Sequence, residues 1–179
     1  MPEPRRVLLM SYWLAPGGTE RQLGEVAKRL DRTRFEPRVA SIKTYGLCVE
    51  ELRAARVPLV EFPMRGFLRP SYWRAARNLR NYIREQRIDI VHSFDVPATL
   101  FAVPVARAAR APVVISSQRA YRDLTPGKHP FLRLTDHMVD GIVVNSQAVG
   151  ASLMQQDRVA PGLIHLCPNG IDFDVFFPA

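Results

Sequence analysis

Cysteine is scarce in this sequence of 179 residues, in which only Cys48 and Cys167 are present. Two cysteines are too few for a disulfide framework, so we predict reduced thiols in a cytosolic protein. Long apolar stretches are missing as well. No run approaches the roughly 18 apolar residues of a membrane span, and the N-terminus lacks the apolar core of a signal peptide. The expected localisation is therefore the cytoplasm.

Two catalytic fingerprints and a metal-ligand pattern are also absent. From Gly17 the chain reads GGTERQ, not the G-x-G-x-x-G of dinucleotide-binding enzymes, which argues against a nicotinamide or flavin enzyme. The pattern G-x-S-x-G is missing, so Ser93 and Ser117 near His92 do not indicate a hydrolase. Three further histidines lack ligand spacing with each other or with the cysteines, so no metal site is predicted. They are His129, His137 and His165.

Acidic residues are outnumbered by basic ones. Lysine and arginine total 25, aspartate and glutamate total 17, and the net charge is +8. Such a surface favours anions, membranes or nucleic acid as partners. The sequence shows no helix-turn-helix pattern and no aromatic RNA-binding strand, so nucleic acid is not a predicted partner.

The densest basic stretch runs from Arg65 to Arg87 and is opposed only by Glu85. Aromatic side chains lie among its arginines, namely Phe67, Tyr72, Trp73 and Tyr82. The favoured interpretation is that these arginines form the solvent-exposed face of an amphipathic helix. The alternative is peripheral contact between this stretch and anionic lipid at the inner face of a membrane.

Hydrophobic residues make up 47% of the chain, which is enough for the core of one domain. Seven short β-prone runs alternate with helical patterns; the runs are 7–10, 37–42, 58–62, 88–92, 112–117, 141–145 and 163–167. Parallel strands need helical crossovers between them. The alternation therefore predicts a Rossmann-like α/β domain with three α/β/α layers and a mostly parallel sheet of about seven strands.

The turn after the first predicted strand contains Gly17 and Gly18 and leads into a helix. A glycine pair lets the backbone approach a ligand, and a helix N-terminus offers unpaired N–H groups, so this turn is a predicted anion site. In a doubly wound sheet the ligand lies where the strand order reverses, here between the first and fourth strands. The glycine pair would therefore face residues 92–95 across one crevice.

Several polar residues at the predicted strand ends are candidates for this crevice. His92 either contacts a sugar hydroxyl or leaving group, or is a satisfied structural residue. Asp95 either orients His92 or caps the following helix, and Ser146 is predicted to cap a later one. Arg119 and Arg122 either clamp an anionic group or are solvated loop charges.

Four segments together resemble the N-terminal, acceptor-side domain of a GT-B glycosyltransferase of family 4. They are PGGTE at 16–20, IDIVHSFD at 88–95, GIVVNSQAV at 141–149 and PNGIDFDVFFP at 168–178. The last segment resembles the junction at which such a chain passes into a second Rossmann-like domain. By this resemblance residues 1–167 form the N-terminal domain, and residues 168–179 begin the linker to a C-terminal nucleotide-sugar domain that this chain lacks.

The resemblance implies a hexosyltransferase that moves a sugar from a nucleotide-sugar to a hydroxyl acceptor, with retention of anomeric configuration. The acceptor would be a glycan, a lipid or a small molecule. Neither a metal nor a cofactor is implied, because the nucleotide-sugar is a co-substrate. The donor-site glutamates belong to the second domain, so the isolated chain is expected to be inactive. The alternative function is a non-catalytic, anion- or membrane-binding Rossmann-like module.

The resemblance also implies roles for single residues. The predicted catalytic residue is His92, and the predicted substrate-binding residues are Gly17, Gly18, Ser93, Asp95, Arg119, Asn145 and Ser146. The glycine pair would approach the donor diphosphate, and Arg119 would face the acceptor. Asn145 and Ser146 would frame the far wall of the crevice. Many relatives carry a second histidine two positions after the first, where this chain has Phe94.

Overall fold

The computed structural model describes residues 3–122 and 129–170, so most of the junction predicted at 168–179 lies outside the described residues. The first elements are β1 (Arg5–Trp13), α1 (Gly18–Arg29), β2 (Phe35–Lys43), α2 (Leu47–Ala54), β3 (Leu59–Glu61) and α3 (Pro70–Glu85). They are followed by β4 (Ile90–Ser93), α4 (Val96–Ala109), β5 (Val113–Gln118), α5 (His129–Asp136), β6 (Gly141–Val144), α6 (Gln147–Gln156) and β7 (Ile164–Leu166). A short 3-10 helix at Pro161–Leu163 precedes β7.

The seven described strands form one parallel sheet in the order β3-β2-β1-β4-β5-β6-β7. The prediction of a Rossmann-like parallel sheet is confirmed. The order reverses between β1 and β4, because α3 carries the chain from the edge strand β3 back to the far side of β1. The helices that follow β1 and β4 pack on opposite faces of the sheet, and ligands of such sheets bind at this point.

Strand β1 alternates between two packed layers. Leu8 faces the layer of α3 and α4, where Phe101 is fully buried, and Leu9 faces the layer of α1 and α2, where Leu23 is fully buried. Both faces of this strand are covered, which is why its centre reads as a continuous apolar run. The strand is longer than predicted, since pairing with β2 extends from Arg5 to Trp13.

Candidate functional site

The candidate site is a groove of about 480 Å³ at the carboxyl ends of the central strands. The strand ends contribute His92, Phe94, Ser117, Arg119 and Val143, and α1 contributes Gln22, Glu25, Val26 and Arg29. The segment after β7 adds Cys167, Pro168 and Gly170. The side-chain amide of Gln22 donates to the carbonyl of Gly170 at 2.9 Å and so joins α1 to that segment across the groove.

His92 lies on β4 between Leu9 of β1 and Ile115 of β5. Its Nε2 atom shares a 2.8 Å hydrogen bond with the hydroxyl of Ser117, which follows Ile115 by two positions and therefore points to the same face of the sheet. Burial, together with the positive charge of Arg119, lowers the pKa of His92 to about 3. The imidazole is therefore neutral near pH 7 and acts as a hydrogen-bonding group, not as a cation.

Phe94 connects His92 with Arg119. The rings of His92 and Phe94 are 4.4 Å apart between centroids, and the guanidinium of Arg119 lies 5.7 Å from the centre of the Phe94 ring. Phe94 is almost completely buried. Since Arg cations are attracted to aromatic faces, Phe94 orients the arginine as well as packing against the histidine. Phe94 thus supports the site by packing.

Arg119 is held by polar contacts as well. Its guanidinium donates to the side-chain oxygen of Asn169, and its carbonyl accepts a 3.1 Å hydrogen bond from the side-chain nitrogen of Asn145. Burial lowers the pKa of Arg119. Among the described residues, the Oδ1 atom of Asn145 is buried without a hydrogen-bond partner. Asn145 thus contacts the backbone of Arg119, and its place in the far wall of the crevice stays a prediction.

The turn at Gly17 and Gly18 is built around a carboxylate that sequence reasoning missed. Glu20 is buried in the first turn of α1, and its Oε1 atom accepts a 2.9 Å hydrogen bond from the indole of Trp13. Its other oxygen lies against Gly17, where any Cβ atom would clash with it, whereas a Cβ atom at Gly18 would meet open space. The N-terminus of α1 therefore already has a negative charge beside it. A diphosphate contact of the glycine pair stays a prediction.

Asp95 ties β1 to α4. Its carboxylate accepts hydrogen bonds from the Ser11 hydroxyl at 2.6 Å, the Tyr12 amide at 2.6 Å and the Ala98 amide at 2.7 Å. Burial raises the pKa of Asp95, and these three hydrogen bonds oppose that rise. Of the two interpretations of this residue, the helix cap is the one observed, and His92 is hydrogen-bonded by Ser117 instead.

Ser93 and Ser146 have structural partners. Ser93 is completely buried, and its hydroxyl shares a 2.8 Å hydrogen bond with that of Thr99 on α4. Its side chain lies on the face of the sheet opposite to His92, because neighbouring strand residues alternate. The hydroxyl of Ser146 accepts from the Val149 amide at 3.2 Å, so the predicted cap of α6 is confirmed. Substrate contacts of these two serines remain predictions.

Arg122 does not belong to the groove, so its interpretation as part of an anion clamp is wrong. Its buried guanidinium makes two 2.7 Å hydrogen bonds to Asp136 and lies 3.7 Å from Asp157. These carboxylates already neutralise the cation, which leaves it no free face for a ligand. The predicted pair of arginines is thus divided: Arg119 lines the groove and Arg122 stabilises the segment after β5.

Ser117 is one of the groove residues that sequence reasoning did not assign to the site, and Glu20 was not assigned to the turn at Gly17. Ser117 was recognisable in principle, because parallel pairing of the fourth and fifth strands places it on the same face as His92. The missing G-x-S-x-G pattern excluded Ser117 only as a hydrolase nucleophile, and it did not exclude a hydrogen-bonding role. Glu20 carries no such signal, since an acidic residue in a first helical turn is common whatever its contacts.

The family is decided by a match over most of the chain: the model of Glycosyltransferase Family 4 matches residues 16–175. The chain belongs to glycosyltransferase family 4. The predicted resemblance is therefore confirmed. Membership of glycosyltransferase family 4 is consistent with a groove at the strand-order reversal, since that is where Rossmann-like sheets bind ligands. No curated protein matches this family 4 chain.

Solved structures share the fold of this family 4 chain. A glycosyltransferase from Rickettsia africae superposes with a TM-score of 0.76 and 19% identity, covering 95% of this chain and 44% of that protein. Anabaena Alr3699/HepE, crystallised with UDP and glucose, gives 0.72 and 18%, covering 94% and 45%. MurG of Acinetobacter baumannii gives 0.69 and 14%, covering 94% and 46%. This chain thus spans less than half the length of the proteins that it matches.

No helix in residues 3–122 or 129–170 is both long and apolar enough to cross a membrane. The division of the family 4 chain at residue 167, the linker and the second domain remain predictions. The same holds for the absence of a cofactor.

Proposed function

We propose that this chain is the acceptor-binding half of a retaining glycosyltransferase. The full protein would transfer a hexosyl group from a nucleotide-sugar to a hydroxyl of a glycan, lipid or small molecule. One observation carries the proposal: in a family 4 chain, a neutral His92 is held by Ser117 beside the cation Arg119, at the reversal of strand order. The UDP and glucose bound to the related Anabaena structure support a nucleotide-sugar donor.

The polar residues have distinct roles in this proposal. The neutral imidazole of His92 would hydrogen-bond a sugar hydroxyl, with Ser117 selecting its orientation. Arg119 would meet an anionic or polar group of the acceptor from its position over Phe94. The open space around Gly18 would let the donor diphosphate approach the amides at the start of α1.

Charge on the departing diphosphate would be stabilised by these amides and by cations of the remaining half of the protein. The buried carboxylate of Glu20 opposes a diphosphate that approaches Gly17 closely, so the contact would fall on the Gly18 side of the turn. Neither a metal ion nor a cofactor is part of this proposal, because N–H groups and arginine supply the positive electrostatic potential. The nucleotide-sugar is a co-substrate.

The test is a transfer assay on the protein expressed from its complete reading frame. Nucleotide-sugars are combined with hydroxyl acceptors, nucleoside diphosphate release is measured, and the anomeric configuration of the product is determined by NMR. We expect acceptor-dependent release with retention, and no turnover by residues 1–179 alone. A folded full-length protein that binds nucleotide-sugars without transferring sugar would contradict the proposal and support the non-catalytic alternative. An inverted product would overturn the retaining mechanism only.

A further inference from the structure

The loop before α3 and the exposed side of that helix have an unusual composition. Residues 62–84 contain six arginines and no aspartate, glutamate or lysine. As predicted, α3 is amphipathic, and it buries Ala75, Leu79 and Ile83 against the core. We call its outer side, together with the preceding loop, the α3 surface. Its members are Arg65, Phe67, Leu68, Arg69, Trp73, Arg74, Arg77 and Arg80.

The arginines of the α3 surface are not neutralised by carboxylates. Elsewhere the cations pair readily: Lys28 contacts Glu25 and Glu51, and Arg53 contacts Glu50. Within the described part of the chain, the five arginines of the α3 surface form no ion pair. Their positive charge therefore remains available to an anionic partner.

Large apolar side chains project from the same surface. Leu68 is 100% exposed, Trp73 is 73% exposed and Phe67 is 41% exposed. Tyr72 packs against the two aromatic ones: its ring centroid lies 5.2 Å from that of Trp73 and 5.9 Å from that of Phe67. It also lies 5.7 Å from the ring centroid of the fully buried Phe101. Trp73 and Phe67 are thus anchored to the core through Tyr72.

Two cavities continue along this surface. One of about 780 Å³ at the start of α3 is lined by Arg65, Arg69 and Arg74 with Ser71, whose hydroxyl accepts from the Arg65 amide at 3.0 Å. The other, of about 360 Å³, has Trp73, Arg77 and Arg80 in its wall and lies between α3 and α4. Guanidinium groups in the lining of these cavities can make paired hydrogen bonds to the phosphate group of a lipid.

We propose that the α3 surface docks on a bilayer that contains anionic phospholipid. Leu68 and Trp73 enter the boundary between headgroups and acyl chains, and the arginines contact lipid phosphates. Burial of apolar side chains distinguishes this partner from nucleic acid, because a fully exposed leucine gains nothing from a sugar-phosphate backbone but is stabilised by acyl chains. Since α3 and α1 cover opposite faces of the sheet, the docked protein keeps the groove beside α1 open.

Vesicle co-sedimentation of the full-length protein tests this proposal. Vesicles of phosphatidylcholine alone are compared with vesicles that also contain phosphatidylglycerol. We expect binding to the anionic vesicles only, weakened at least about tenfold by Arg69→Glu with Arg74→Glu and by Leu68→Ser with Trp73→Ser. All four positions are exposed, so unfolding is not expected, and circular dichroism is the check on folding.

The matched controls make the same chemical changes elsewhere. Arg5→Glu with Arg53→Glu alters the net charge equally at exposed arginines, and Leu134→Ser removes an exposed leucine from α5. Equal loss of binding in the charge control would show a general charge effect and overturn the docking surface. Binding to neutral vesicles, or no vesicle binding, would also overturn it. Binding of duplex DNA through the same arginines, unchanged by Leu68→Ser with Trp73→Ser, would identify nucleic acid instead.

Discussion

The Nε2 atom of His92 and the hydroxyl oxygen of Ser117 lie 2.8 Å apart on one face of the sheet. They come from neighbouring parallel strands, β4 and β5, whose register is set by backbone pairing of His92 with Ile115. A hydroxyl can donate to or accept from an imidazole, so Ser117 influences which ring nitrogen carries the proton.

Replacing His92 by alanine in the full-length enzyme is expected to lower kcat/KM by about 100-fold or more, since a hydrogen bond to the transition state is lost. Ser117→Ala is expected to lower it by about tenfold and to change its pH profile, because the imidazole is no longer oriented. The exposed His137 provides the matched control, and His137→Ala should leave transfer unchanged. Full activity of His92→Ala in the transfer assay would exclude His92 from the reaction.

The lowered pKa of His92 makes folding sensitive to acid. The unfolded imidazole binds a proton below about pH 6.5, whereas the folded one stays neutral down to about pH 3. The unfolded state therefore binds more protons in this interval, and stability decreases as pH falls from 7 to 5, by about 1–2 kcal/mol from this residue. Urea unfolding at both pH values should show a smaller decrease for His92→Gln. If the stability of His92→Gln decreases as much as that of the unaltered protein, the lowered pKa of His92 is contradicted. His137→Gln is the control.

Gly17 and Gly18 should differ in their tolerance of a side chain. Gly17→Ala forces the Glu20 carboxylate from its place beside Trp13, and we expect a loss of about 1–3 kcal/mol in unfolding free energy. Gly18→Ala enters open space at the first helical position and should be neutral or stabilising by about 0.5 kcal/mol. Thermal melts of both variants measure the difference. Equal melting temperatures would show that Glu20 moves freely.

Asp95 should contribute more to stability than its hydroxyl partner. Asp95→Ala removes the acceptor of three hydrogen bonds and the cap of α4, with an expected loss of about 2–4 kcal/mol. Ser11→Ala removes one of these hydrogen bonds and should lose about 1 kcal/mol. Urea denaturation gives both values. A loss below that of Ser11→Ala would refute the role of Asp95 as the joint between β1 and α4.

The two arginines after β5 should have different roles, Arg122 in stability and Arg119 in acceptor binding. Arg122→Ala removes the cation that makes two hydrogen bonds to the buried carboxylate of Asp136, which should lower stability by about 3–5 kcal/mol. Arg119→Ala should change stability little and weaken acceptor binding, seen as a raised KM. A larger loss of stability in Arg119→Ala than in Arg122→Ala would contradict this prediction, because Arg119 would then be the structural residue.

Much of the site's location was predictable, and much of its chemistry was not. Alternating strand and helix patterns place His92 at the carboxyl edge of the sheet, beside the reversal of strand order, without any knowledge of contacts. The hydrogen-bond partners were not predictable in the same way. Whether Asp95 faces His92 or Ser11 depends on how β1 and α4 approach each other, and that approach is set by packing of residues far apart in the sequence.

The sequence by itself determined the number of strands, their helical crossovers, the reversal of order beside β1 and the amphipathic α3, because these follow from local periodicity and from the rules of parallel connection. Only the tertiary structure decided which side chains meet. It buried Ser93 and Arg122, paired His92 with Ser117 and placed Glu20 against Gly17. Such contacts join residues from separate elements, so they exist only once the sheet and its two helical layers have assembled.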